Sequence, residues 1–188
     1  MKETIDNRTI WNNAAKTALV FAAVTIVCNL LKRGLAALNP PSFLLMLGSF
    51  VLWAAEFIGC IYLMIFFMKK LVRDYEGVIN TDTYKYGRRI ALLSAIVIAS
   101  VEFLILHFSP EEKLQEMIDT MLAGYASMFD SNTLSVMEET LQNLPAITFV
   151  SNLIYCFLYG TILSAILSRS IPQPDPFADI PPRTPENE

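Results

Sequence analysis

The chain has 188 residues, enough for one domain; 54% of them are hydrophobic and 17% charged. A soluble domain usually carries more charge than that, and here the charges are gathered into ends and loops, leaving apolar runs able to cross about 30 Å of hydrocarbon. The net charge of −4 says little as a total, but its distribution excludes a nucleic-acid-binding domain, which needs a broad basic surface.

The polar N-terminus, MKETIDNRTIW, leads into an apolar run with no small-residue cleavage site. That predicts a retained first span over about 13–38, not a signal peptide. Its uncharged part, Thr17 to Leu31, is short. It reaches bilayer length if Lys16 and the Lys32–Arg33 pair snorkel toward opposite interfaces. Asn39-Pro40-Pro41-Ser42 then makes a tight connection, because proline rings deny the helix its backbone donors. The second span, about 43–68, is interrupted by a single charge, Glu56.

Between the second and third spans lies KKLVRDYEGVINTDTYKYGRR, with Lys69, Lys70, Arg73, Lys85, Arg88 and Arg89, six of the fourteen basic residues. A Lys/Arg-rich connection is retained in the cytoplasm. The six also suit anionic lipid headgroups, and Tyr75, Tyr84 and Tyr86 among them suit an interfacial position. The third span follows over about 87–108.

Ser109-Pro110-Glu111-Glu112 has the form of a helix start, with Ser as N-cap and Pro at the first helical position. From there an acidic helical hairpin is predicted over 110–143. Leu114, Met117, Ile118, Met121 and Leu122 form one apolar stripe, and Leu134, Met137, Leu141 and Leu144 a second, around a turn at Asp130-Ser131-Asn132. Between Glu111 and Glu139 there are seven acids and one base, Lys113, which places the hairpin outside, either on the outer leaflet or over the bundle mouth. The fourth span, about 145–168, ends at Arg169. The proline-rich, acidic segment 171–188 has the composition of a disordered cytoplasmic tail.

The predicted fold is therefore an all-α membrane protein of four transmembrane helices, with an extracytoplasmic helical hairpin between the third and fourth and both termini cytoplasmic. Each span carries small residues at four-residue spacing, which let helices approach closely. They are Ala14, Ala18 and Ala22; Ala55 and Gly59; Ala91, Ala95 and Ala99; and Gly160, Ser164 and Ser168. Bundle packing or a homo-oligomer accounts for them.

An ionised carboxylate at the bilayer centre costs at least ~2.5 kcal/mol, so polar residues at depth mark a candidate site. At 1.5 Å per residue Glu56 lies about 20 Å from the outer end of its span, Asn29 about 15 Å, and Glu102, Lys32 and Arg33 about 10 Å. Asn152 and Tyr155 fall in the same outer half. The expected cluster pairs Glu102 with Arg33 or Lys32, and Glu56 with Asn29. That pairing also explains two outer cations against the inside bias. It reads as a proton- or ligand-responsive site or as a polar staple. Cys28, Cys60 and Cys156 lack the spacing of a metal or disulfide framework, and His107 sits alone at an outer interface. With no Gly-rich phosphate loop, GxSxG or HExxH, no catalytic site, cofactor or metal is expected.

The stretch IFFMKKLVRDYEGVINTDTYKYGRRIALLSAIVIASVEFL resembles the DUF4199 family of uncharacterised bacterial membrane proteins, found mainly in Bacteroidetes. The shared features are a basic end with an Arg-Asp step (Arg73, Asp74), a glycine (Gly77), a short polar linker, an aromatic (Tyr84) and a glycine opening the next span (Gly87). The resemblance covers about a quarter of the chain closely and the rest in layout. It implies four spans and a bacterial inner membrane, and no activity. The expected role is a non-enzymatic interaction or accessory protein, partnered by the bilayer and by a second copy or another membrane protein. The alternative is a small oligomeric transporter or proton-coupled channel using Glu56.

Overall fold

The structure is a computed structural model, and it describes residues 3–4, 6–38 and 40–171. Six helices account for nearly all of it: α1 Asn7–Ala37, α2 Ser42–Asp74, α3 Asn80–His107, α4 Glu111–Tyr125, α5 Ser131–Leu141 and α6 Leu144–Ser170. The exception is a two-residue parallel pair, β1 Glu3–Thr4 against β2 Tyr75–Glu76. Four helices, α1, α2, α3 and α6, are long and apolar enough to cross a membrane. The predicted tail 172–188 lies outside the described residues, as does Asn39 of the predicted Asn39–Ser42 connection. Ile171, placed by composition in the tail, is buried in the core.

The helices outrun the apolar stretches that announce them. Lys69 to Asp74 continue α2 and Asn80 to Arg89 open α3, so the polar connection narrows to 75–79. Lys, Arg and Tyr carry no penalty large enough to stop a helix already under way. It stops at Tyr75, whose extended backbone (φ −122°, ψ 150°) begins the pairing with β1, and Gly77, at φ +70°, a conformation glycine adopts without strain, then turns the chain toward α3.

α3 is the central helix, packed along α6 on one side and α1 on the other, while α2 leans on α1. Three of the four small-residue stripes form these contacts, with Ala14, Ala18, Ala91, Ala95, Ala99 and Ser164 all nearly inaccessible. The fit is close: a Cβ on Gly160 would lie 2.5 Å from that of Ala91. Hydroxyls tie the same helices, Thr17 to Tyr86 at 2.7 Å and Ser164 donating to the Tyr84 carbonyl at 3.1 Å. The fourth stripe is not used. Ala55 is exposed and Gly59 has nothing within 4 Å of a built Cβ, because no described helix is seated against that face of α2, although Gly48 nearer its start lies against Leu35 of α1.

The core is accordingly lopsided. Ile10, Phe21, Met64, Met68, Leu71, Tyr86, Ile90 and Ile171 pack together at the end where α2 passes to α3. Toward the other end the buried residues of α2 and α1 run out after Met64 and Thr25 respectively. α2 and α6 barely touch there, and a cavity opens between them.

α4 and α5 are short consecutive helices that touch each other, with only Ile118 buried between them. Asp130 caps α5, accepting from the Thr133 amide at 3.1 Å. Ser109 does not cap α4. Its hydroxyl turns back to the Ile105 carbonyl at 2.7 Å and closes α3 instead, leaving Pro110 as the α4 cap residue.

Candidate functional site

Asn29, Lys32 and Arg33 stand three and four residues apart on α1, so all three project from one side of it. Their targets are on different helices. Lys32 Nζ meets Glu56 Oε2 on α2 at 2.6 Å, and Arg33 Nη2 meets Glu102 Oε2 on α3. Asn29 lies between the two pairs. Its Nδ2 donates to Glu102 Oε1 at 3.2 Å, and its Oδ1 accepts from Lys32 Nζ at 3.5 Å. Glu56, Lys32, Asn29, Glu102 and Arg33 thus form one connected network on three helices.

This differs from the sequence reading in two ways. Glu56 is held by Lys32 and not by Asn29, because the lysine stem reaches α2 while the short amide reaches only α3. Lys32 and Arg33, expected to reach toward an interface, each end on a carboxylate of a neighbouring helix, with the Arg33 side chain still 42% exposed. With two acids and two bases the network is formally neutral, which is how four charged groups can share a poorly solvated bundle. Glu102 is its most buried carboxylate.

Lys32, Glu56 and Asn29 line the cavity between α2 and α6, which has a volume of 260 Å³; Arg33 and Glu102 do not. Asn152 and Tyr155 line it from α6 without joining the network. Further lining residues were not assigned to the site by sequence reasoning: Thr25, Ser94 and Tyr159, and Cys60 and Cys156, which were weighed only as metal or disulfide residues. The signal was present as four-residue repeats: Thr25 precedes Asn29 by one such step, Cys60 follows Glu56, Cys156 follows Asn152 and Tyr159 follows Tyr155. Trp53 and Phe57 stack at 5.5 Å, Phe57 meets Tyr159 at 5.6 Å and Tyr159 meets Tyr155 at 6.4 Å. They give the cavity an aromatic wall running from α2 to α6. The Tyr159 hydroxyl is buried without a partner among the described residues. The cavity therefore offers an ion pair, an amide and a hydroxyl beside aromatic rings.

The six basic residues of the second connection are dispersed. Arg73 pairs with Asp74 at 3.3 Å and Lys85 with Asp82 at 3.7 Å. Arg88 lies over Tyr84 at 5.7 Å, and Arg89 over Trp11 at 4.7 Å with hydrogen bonds to Asn7. Lys69 and Lys70 are exposed with no ion-pair partner among the described residues. His107 stacks on Phe103 at the end of α3. Cys28, Cys60 and Cys156 are free thiols, and among the described residues no three His, Cys, Asp or Glu side chains gather as metal ligands would. Comparison of the chain with protein-family models, curated proteins and solved structures finds no match.

Proposed function

We propose that this is a multi-pass protein of a bacterial cytoplasmic membrane, with both termini inside, acting without catalysis as a binding or accessory protein that receives an amphiphilic ligand between α2 and α6. One observation carries this reading. The Lys32–Glu56 pair stands in the wall of a 260 Å³ cavity at the place where the two helices part. In a bilayer that gap faces acyl chains, so a ligand with an apolar body and a polar head has a lateral way in. The basic connection, the acidic α4–α5 segment and Arg169 support the orientation. The DUF4199 resemblance is part of the proposal. Its Arg73-Asp74 step ends α2, Gly77 supplies the left-handed turn, the Tyr84 carbonyl accepts from Ser164 and Gly87 lies against Ser164 and Met68, so each shared residue has a structural task.

Transport or proton coupling through Glu56 is the second reading, favoured by its place on the cavity wall. Its pairing with Lys32 favours the binding role, since a relay works with an acid free to exchange its proton. A catalytic reading has less support: the sole histidine is at the far end of α3, away from the cavity thiols of Cys60 and Cys156.

The test is to purify the chain gently and analyse its retained amphiphiles by mass spectrometry, beside Cys156→Trp, which fills the cavity and leaves the network intact. Loss of a specific species in the variant supports the reading. In parallel, chains keeping only Cys60 or Cys156 are exposed to a membrane-impermeant maleimide from each side. Labelling from either side would show a water path to mid-bilayer and replace binding by transport. Alkaline extraction of the chain from membranes would overturn the membrane assignment itself.

A further inference from the structure

A second cavity, of 280 Å³, lies at the opposite end of the bundle between α1, α2 and the start of α3. From α1 it takes Asn13, Lys16 and Thr17, spaced three and four apart on one face, and from α2 Lys70 and Asp74; Tyr75 and Tyr86 complete the polar lining. Its hydrogen-bond inventory is weighted toward donors. Neither Lys16 nor Lys70 has a carboxylate partner among the described residues. Tyr75 Oη accepts from Asn13 Nδ2 at 3.0 Å, so its own proton is free to donate. Thr17 and Tyr86 share one hydrogen bond at 2.7 Å, and whichever oxygen accepts keeps a second free proton. The one acid, Asp74, is already offset by Arg73 at 3.3 Å. Two ammonium groups and two hydroxyl protons therefore face a space with no uncompensated negative charge. The same space is bordered by Val20, itself 42% exposed, and by Phe67.

We infer that this cavity seats the phosphate-bearing headgroup of an anionic membrane lipid, with Lys16 and Lys70 as its cationic clamp and Val20 and Phe67 against the acyl chains. A phosphate monoanion matches the donor set, and a basic pocket between helices at the cytoplasmic surface is the setting in which such headgroups bind. The apolar border favours a lipid over free phosphate. This assignment narrows the basic surface of the second connection to one lysine, Lys70, because Arg73, Lys85, Arg88 and Arg89 are engaged elsewhere and Lys69 lies outside the cavity. It also draws in Lys16, which is far away in sequence. The inference rests on the membrane assignment made above, and not on the ligand of the α2–α6 cavity.

The experiment reconstitutes the full chain into phosphatidylcholine nanodiscs doped with phosphatidylglycerol and reads bound lipid by native mass spectrometry. Phosphatidylglycerol should be retained in preference. Lys16→Gln and Lys70→Gln should each weaken retention about fivefold, the worth of one lysine near a charged surface, while Lys69→Gln, one residue away and outside the cavity, should not. Equal loss in Lys69→Gln would mean a diffuse basic surface and overturn the site. Displacement of phosphatidylglycerol by inorganic phosphate would assign the cavity to the free anion. Equal retention of both lipids in well-formed discs would overturn the headgroup assignment alone. Failure to enter discs at all would overturn the membrane assignment and this inference with it.

Discussion

The side-chain amide of Asn29 donates to Glu102 at 3.2 Å while accepting from Lys32 at 3.5 Å, so one neutral residue joins two ion pairs that would otherwise be separate. The arrangement makes α1 the hub of the polar network even though α3 is the hub of the apolar packing. Breaking the network at different points should therefore have different consequences.

Glu102 is the most buried charged group in it. Glu102→Ala leaves Arg33 without its carboxylate and Asn29 without an acceptor, and should destabilise the bundle by about 1–3 kcal/mol, the penalty for a partly buried polar group left unsatisfied. Combining it with Arg33→Leu should recover part of the loss, since the stranded charge goes too. Thermal unfolding of the single and double variants in detergent checks this; additive losses would show that the two residues do not act as a pair.

Glu56 and Lys32 should respond unequally. Glu56→Gln keeps a side-chain oxygen for Lys32 but removes its counter-charge, and should cost about 1–3 kcal/mol, the worth of a hydrogen bond between charged groups. Lys32→Met leaves Glu56 and Asn29 without their shared donor and should lower the level of folded protein in membranes markedly. If Glu56→Gln proves the more damaging of the two, the carboxylate has a task beyond accepting from Lys32.

Much of this was legible beforehand, for identifiable reasons. Hydropathy locates α1, α2, α3 and α6 because a bilayer-length apolar run has few other uses, and small residues at four-residue spacing mark the α1–α3–α6 contacts. The polar partners at depth, Glu102 and Arg33 among them, stand out as charges in apolar surroundings. Which acid meets which base was not legible. Depth counted along each helix ignores side-chain reach, and Lys32 bridges the offset between its own level and that of Glu56. The Ala55–Gly59 stripe misleads for a related reason, since spacing shows that a helix permits close approach and not that a neighbour comes. The ends of α2 and α3 escaped notice because hydropathy marks where a helix is apolar, whereas helical hydrogen bonding continues through Lys69–Asp74 and Asn80–Lys85.

The contrast between Gly160 and Gly59 can be measured. At Gly160 a side chain meets Ala91, with a Cβ–Cβ distance of 2.5 Å and the Ala91 Cα at 3.3 Å, so Gly160→Val must push α3 and α6 apart. Overpacking of this kind costs about 1–3 kcal/mol. Gly59→Val meets nothing in the single chain and should be neutral. A loss of stability at Gly59 comparable to that at Gly160 would reveal a helix from another molecule seated on α2.

Gly77 tests the turn between α2 and α3. At φ +70° an L side chain strains the backbone by about 1–2 kcal/mol. Gly77→Ala should accordingly lower the unfolding temperature, with Gly77→Asn less severe because asparagine tolerates the left-handed region better. Space is not the issue, as nothing lies within 4 Å of the added Cβ. Equal effects from both substitutions would argue that a contact, and not the backbone angle, is at stake.

Asp130 gives α5 a pH dependence of known sign. The hydroxyl and amide of Thr133 hold its carboxyl below the ordinary range, so the folded-state value is depressed. Its contribution to α5 is then fully present above the unfolded value and is lost as pH falls through the folded one, a window below the usual carboxylate titration. The protection of the Thr133 amide, relative to its intrinsic exchange rate at each pH, should fall on acidification through that window, and Asp130→Ala should abolish that protection at the pH values where the wild type has it. Asp130→Asn, which keeps an acceptor for the Thr133 amide, should retain most of the protection without the acid loss. An unchanged acid profile in Asp130→Asn would assign the dependence to another carboxylate of the α4–α5 segment.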